Sequence, residues 1–258
     1  GNIVYSTNKR LDFATNAKSG PYRTTGMGRA VTSRLATAPV GDAVFVDFEL
    51  YLPARGKPSL FVAAAVRDDA RTVGAFLAEI PVEGLNSLTV GDGDWEDNGL
   101  GDTGEIYVVG RDFLMRTDSR LWLEDPDEYL RKLESESYDP LVGELVRTFG
   151  STILLQPVET EAVVVAMDGE RFLGRTTDYV GRGSLTSAGP VGSDKVDWVV
   201  VAALTSAEAN DPLQSYLTRI LIIGAILVPI VILLALLLAD RMTRPVRPVV
   251  AAAGAVAG

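Results

Sequence analysis

Apolar, β-branched and aromatic residues gather in three runs, Ala43 to Leu52, Ser59 to Arg67 and Thr72 to Ile80. They are split by Pro53-Ala54-Arg55-Gly56-Lys57-Pro58 and by Asp68-Asp69-Ala70-Arg71. Such side chains suit a pleated surface and the separators suit turns, so the runs predict three consecutive antiparallel strands. Gly1 to Ser6 predicts a further strand, and within Gly26 to Ala36 the residues Met27, Ala30, Val31 and Leu35 fall at helical spacing. Gly91 to Gly104, rich in glycine and acidic residues, reads as the break between two modules.

In the second module, Glu105 to Gly110 and Phe113 to Thr117 flank Arg111-Asp112 and predict a hairpin. Pro126 to Ser135 and Pro140 to Phe149 predict helices, and Arg171 to Tyr179, Gly183 to Val191 and Val196 to Leu204 predict three strands separated by glycine-containing turns. The fold class is therefore α+β with antiparallel sheets, in the order of a PAS-like domain.

The pattern then changes. No charge occurs from Ile220 to Ala239, and Asp240-Arg241, Arg244 and Arg247 follow. At roughly 1.5 Å per residue the run covers about 30 Å, the thickness of the hydrocarbon layer of a bilayer, which predicts a transmembrane helix. The arginines on its C-terminal side place that end in the cytoplasm of a cell with this chain in its plasma membrane, and the N-terminal part outside. Thr205 and Glu208 have the spacing of a capping box, Asp211-Pro212 offers a second helix start, and Pro229 lies within the span. After Pro245, the residues Val246, Val249, Val250 and Ala253 form an apolar stripe suited to a helix bundle, from which a homodimer is expected. The N-terminus has neither a basic nor an apolar leader region, so the sequence is expected to be a piece of a longer chain.

Composition narrows the function. The net charge of −10 argues against nucleic acid as a partner, because phosphate binding relies on clustered Lys and Arg. Cysteine and histidine are both absent, which removes disulfides, thiolate chemistry, the commonest general base and the commonest zinc ligand. No catalytic residue, cofactor or metal is expected in this chain. Gly99 to Gly104 fits G-x-G-x-x-G, but it precedes a strand and carries Asp102, which would repel a pyrophosphate. Asp94 to Glu105 partly matches a calcium-binding loop, yet a strand follows it where a helix should.

Gly99-Leu100-Gly101-Asp102-Thr103-Gly104-Glu105-Ile106-Tyr107-Val108-Val109-Gly110, continuing through Leu114-Met115-Arg116-Thr117-Asp118-Ser119-Arg120, resembles the membrane-proximal lobe of bacterial double-Cache sensor domains. Gly1 to Ser6, Asp12-Phe13, Thr15-Asn16, Gly20-Pro21-Tyr22, Asp47-Phe48 and Tyr51 resemble the second half of the distal lobe. Asp197 to Ala202 is similar to the closing strand, and Arg244-Pro245-Val246 to the start of a HAMP relay domain. The resemblance implies residues 1–90 as part of the distal lobe, 91–210 as the proximal lobe, 211–240 as the transmembrane helix and 241–258 as the HAMP start. It also implies a receptor that relays ligand occupancy to a cytoplasmic effector, a class III nucleotide cyclase first. A chemotaxis transducer, a histidine kinase or an ectodomain without ligand are the alternatives.

Lobes of this type bind small polar ligands, such as an amino acid or a carboxylate, between sheet and helices. The proximal candidates are Tyr107, Arg116, Asp118, Ser119, Arg120, Asp178 and Tyr179. Arg116 and Arg120 suit a carboxylate, although Arg120 equally suits pairing with Asp118 or Asp125. The distal candidates are Tyr5, Asp47 and Tyr51. Asp47 and Tyr51, four apart, are expected on one face of their strand, with Asp47 either receiving an ammonium or closing a structural hydrogen bond.

Overall fold

The computed structural model describes residues 1–35, 38–39, 41–69, 71–90, 93, 95, 97–135 and 138–243. The chain divides into two compact units, Gly1–Glu208 and Ala209–Gly258.

The first unit is α+β and contains two antiparallel sheets. The N-terminal sheet has the order β1 (Ala43–Tyr51), β2 (Lys57–Asp68), β3 (Arg71–Ile80). These are the three strands that the apolar runs predict. Arg55 and Gly56, at φ 62° and 74°, turn the chain between β1 and β2, and the Gly56 amide closes the turn on the Tyr51 carbonyl at 3.1 Å. A short helix α1 (Gly26–Arg29), capped by the Thr25 hydroxyl on the Gly28 amide, runs into a π-helical turn at Ala30–Arg34. Met27, Ala30 and Leu35 pack there with Val46, Tyr51, Phe61 and Ala63. Gly1 to Ser6 does not form the predicted strand. Its sheet-like contact among the described residues is the single bridge Asn2↔Asn16, because the segment is tied to the local turn at Asp12–Ala17.

One irregularity in β1 decides the direction of its side chains. Val46 pairs with Phe61 and Glu49 with Ser59, so three steps on β1 match two on β2 and an extra residue is accommodated at Asp47-Phe48. A bulge of this kind reverses the in-and-out alternation beyond it. Val46 and Tyr51, five apart, therefore share one core, while Asp47 and Phe48 turn toward the second sheet. This corrects the expectation that Asp47 and Tyr51 face the same cavity.

After the helix α2 (Val82–Val90), the second sheet has the order β4 (Glu105–Gly110), β7 (Trp198–Thr205), β6 (Gly183–Pro190), β5 (Phe172–Thr177). Between β4 and β5 lie α3 (Arg120–Glu124), α4 (Pro126–Ser135), α5 (Pro140–Phe149) and α6 (Glu161–Met167). The core between sheet and helices is built from Tyr107, Val109, Met115, Tyr129, Val146, Val163, Tyr179 and Val201. α4 and α5 match the predicted helices, and Asp139 caps α5 with proline at its first position. The predicted second hairpin arm, Phe113 to Thr117, is reduced to the bridges Val109↔Met115 and Leu114↔Pro157, since Phe113 takes a left-handed φ of 60° that breaks the extended run.

β7 ends at Thr205 and helix α7 (Ser206–Thr243) begins at the next residue. Within the second unit its apolar side chains, among them Ile220, Leu227, Leu233 and Leu238, are exposed. With a mean hydropathy of 3.3 in its most apolar window, it is a helix long and apolar enough to cross a membrane. Residues 244–258, where the sequence predicts the start of a HAMP domain, lie outside the described residues.

Candidate functional site

The bulge aims Asp47 at the second sheet, and there it meets Arg116. The Arg116 guanidinium donates from Nε to Asp47 Oδ1 at 3.0 Å and from Nη2 to Asp47 Oδ2 at 2.8 Å. Nη1 donates to the Leu114 carbonyl at 2.9 Å, and Nη2 also lies 2.9 Å from Asp112. Burial opposes the Arg116 charge, but Asp47 and Asp112 outweigh it and the pKa rises. Trp198, the first residue of β7, donates its indole N–H to Asp47 Oδ1 at 3.0 Å, and its ring stacks on Phe48 with 6.0 Å between centroids. One carboxylate, one guanidinium and two rings thus connect β1 with the second sheet, beside the ion pair of Lys195 with Asp42 at 3.6 Å.

A second polar cluster lies between the second sheet and its helices. Glu105, 4% exposed at the start of β4, accepts the Tyr179 hydroxyl on both oxygens at 2.9 Å and the Arg120 amide at 2.8 Å. Ser119 shares its hydroxyl with Tyr179 at 2.6 Å and caps α3 through the Trp122 amide. Tyr107 packs edge-on against the Tyr179 ring at 5.4 Å. Burial pushes the Glu105 carboxyl up to about 7, against hydrogen bonds from Arg120 and Tyr179 that favour its charge. Burial likewise drives the Tyr107 and Tyr179 hydroxyls well above their ordinary range.

The third cluster surrounds the start of α7. Arg120 donates from Nη1 to the carbonyls of Gly101 and Gly104 at 3.0 and 2.6 Å, from Nε to Glu124 at 2.9 Å, and lies over the Trp95 ring at 4.8 Å. The same loop offers its amides to Glu208, which accepts from Asp102 at 2.9 Å, from Thr103 at 2.7 Å and from the Thr103 hydroxyl at 2.5 Å. Thr205 caps the helix through the Glu208 amide at 3.4 Å. Instead of closing a capping box on itself, the Glu208 carboxylate is spent on the loop. Burial alone would raise that carboxyl, but the Thr103 and Asp102 donors outweigh it and lower the pKa.

The structure brings eight of the ten sequence candidates into these networks or beside them. Asp118 accepts from Asn86, Ser151 and Thr152 at 2.7, 2.7 and 2.8 Å, and Asp178 holds Arg182 and the Val180 amide. With Tyr107, Arg116, Ser119, Arg120, Tyr179 and Asp47, these side chains face partners within the protein. Of the two alternatives for Arg120, neither Asp118 nor Asp125 is its ion-pair partner; Glu124 is. Tyr51 is buried in the N-terminal core and donates to Asp12 at 2.8 Å. Tyr5 is 78% exposed, because its segment is not a strand. Glu105, the last position of the calcium-like pattern, turns its carboxylate into the lobe, while residues 94 and 96 lie outside the described residues.

Sequence reasoning did not single out Glu105 as a core carboxylate, Glu208 as a clamp or Arg111 as an open cation. The only sequence signal for Glu105 is an acidic residue directly before the apolar run Ile106 to Val109. An open cleft of about 320 Å³ lies where Arg111, the end of α6 and the turn between β6 and β7 meet, with Asp194, Asp197 and Trp198 in its wall.

No protein-family model and no curated protein matches the chain. Among solved structures, the ligand-binding domain of the Pseudomonas aeruginosa PAO1 amino acid chemoreceptor PctB, in complex with L-Arg, is similar at 14% identity and a TM-score of 0.43, covering 80% of this chain and 64% of that one. The ligand-binding domain of the Pseudomonas fluorescens chemoreceptor CtaA with L-isoleucine is similar at 13% identity and a TM-score of 0.40, covering 74% and 60%. The extracellular domain of the histidine kinase mmHK1S-Z3, described as putative, follows at 12% identity and 0.38, covering 67% and 53%. The chain thus spans less than two thirds of the length of each.

Proposed function

We propose that this chain is the sensory and membrane-crossing part of a bacterial receptor. Residues 1–208 meet a small polar molecule of the amino acid or carboxylate class, and α7 passes the outcome through the plasma membrane to a cytoplasmic effector. The observation that carries this reading is the clamp on Glu208. The first turn of the apolar helix is held by the Asp102 and Thr103 amides. The carbonyls flanking them are held by Arg120, and the Arg120 amide rests on Glu105 in the lobe interior. A rearrangement around Glu105 thus has a hydrogen-bonded route to the start of the helix, beside the covalent one through β7.

Such a relay biases an effector only by the difference in ligand affinity between two arrangements of the helix, typically about 1–3 kcal/mol. The arginines beyond the span orient the C-terminus to the cytoplasm, and the resemblance to double-Cache receptors with HAMP domains supports a homodimer and a class III nucleotide cyclase as the effector. To test the relay, the chain is fused ahead of a HAMP-linked reporter kinase and Glu208→Ala is introduced. The expected result is a change in basal output of about threefold or more in either direction. Unchanged output from a variant present in the membrane at the unmodified level would refute the relay.

A further inference from the structure

The interior between sheet and helices of the C-terminal lobe is filled by Tyr107, Met115, Tyr129 and Tyr179, all at most 1% exposed. The crevice beside Glu105, Thr103 and Ser184 leaves no room for a ligand. The cleft at the turn between β6 and β7 differs on both counts. Its volume of about 320 Å³ suits a small molecule, and it opens to solvent. Its wall carries opposite charges. Arg111 is exposed, donates one hydrogen bond to the Met167 carbonyl at 3.3 Å and forms no ion pair among the described residues. Its neighbour Asp112 is already taken by Arg116. Asp197 also lines the cleft, is exposed and is likewise without an ion pair among the described residues, whereas Asp194 lies 3.5 Å from Lys195.

We infer that this cleft is a binding site for a small zwitterion of the α-amino acid class. Arg111 receives the carboxylate, Asp197 receives the ammonium, and Trp198 forms an apolar wall for the side chain. An anion alone would face Asp197 uncompensated and a cation alone would face Arg111, so the site selects molecules carrying both charges. The position also gives occupancy a consequence. Trp198 is the residue whose indole bridges to Asp47 and Phe48, and it opens the strand that ends one residue before α7. The inference rests on the sensor reading and adds the site and the charge pattern of its ligand.

The test is calorimetric titration of the detergent-solubilised full chain with L-alanine, L-serine and L-leucine, alongside Trp fluorescence. One or more of these probes is expected to bind, and its N-acetyl and carboxamide derivatives to bind about tenfold or more weakly. Arg111→Gln and Asp197→Asn are each expected to weaken binding by a similar factor without moving the unfolding midpoint, because both side chains are exposed. Absence of binding by all three probes up to about 10 mM would overturn the inference, as would binding that survives blocking of either charge or either substitution. The sensor reading is judged separately, by the Glu208→Ala reporter output, which needs no ligand.

Discussion

The Trp198 indole N–H and the Asp47 carboxylate lie 3.0 Å apart although 151 residues separate them in sequence, and the same carboxylate accepts two bonds from Arg116. Asp47 therefore organises the contact between β1 and the first residue of β7. Arg116 has a side chain only 3% exposed against 40% for Asp47, so the junction is buried on one side and wet on the other. Asp47→Ala leaves a buried guanidinium with Asp112 as its one remaining carboxylate beside the Leu114 carbonyl, and an indole donor without its acceptor. The expected cost is about 2–3 kcal/mol, the lower part of the range for breaking a buried pair because Asp47 is partly solvated. Urea unfolding followed by Trp fluorescence checks it, and a loss under about 0.5 kcal/mol would mean that the remaining contacts, among them Phe48 on Trp198, hold this region without the Asp47 carboxylate.

Protonation of Glu105 gives a stability profile of definite sign. Its folded pKa of about 7 lies above the ordinary 4.5, so the folded state keeps a proton that the unfolded chain releases. The stabilisation is complete below about 4.5 and is lost as the pH rises to about 7, amounting to something on the order of 3 kcal/mol. Unfolding midpoints measured from pH 4.5 to 8 should fall more steeply for the unmodified chain than for Glu105→Gln. Parallel profiles would show that Glu105 does not titrate in this window.

The clamp at α7 has the opposite sign. Glu208 is held below its ordinary 4.5 by the Thr103 and Asp102 donors, so its contribution is present above that value and disappears only as the pH drops through the lowered one. The amide resonances of Asp102 and Thr103 are expected to titrate together with a midpoint below 4.5, and to lose that titration in Glu208→Gln. A midpoint at or above the ordinary value would mean that the carboxylate does not accept these amides in solution.

Gly104 tests the loop from its other end. Its amide donates to the Leu100 carbonyl at 2.9 Å, and a Cβ at this position would press on that same oxygen, which is backbone and cannot swing aside. Gly104→Ala is expected to cost about 1–3 kcal/mol and to speed hydrogen exchange at Asp102 and Thr103, because opening the turn withdraws the Gly104 carbonyl from Arg120. Unchanged exchange at those amides would show that the loop adapts without releasing Glu208.

Much of the fold was legible because local chemistry agreed with it. Alternating β-branched runs closed by Pro53 to Pro58 gave β1 and β2, and proline at the first position of Pro126–Ser135 and Pro140–Phe149 marked two helices. Shorter elements escaped. Glu161–Met167 is seven residues of mostly β-branched and small side chains, a composition that favours no single state. The polar candidates were legible as a set but not as to purpose. Arg116, Arg120 and Asp178 carry the same charges whether they face a ligand or one another, and only the partners across the fold, Asp47, Gly104 and Arg182, decide between the two. The direction of Asp47 was hidden for a different reason, since the alternation rule that placed it with Tyr51 fails at one inserted residue.

That inserted residue makes β1 sensitive to length in a way it is not to composition. Val44 and Val46 lie on the core side ahead of Asp47-Phe48 and Tyr51 lies on it behind, an arrangement that exists only while the count between them is kept. Exchanging Phe48 for another large apolar side chain leaves both halves of the strand where they are. Removing it would rotate one half by a full pleat, so that either Tyr51 leaves its place beside Phe61 or Val46 is turned to water.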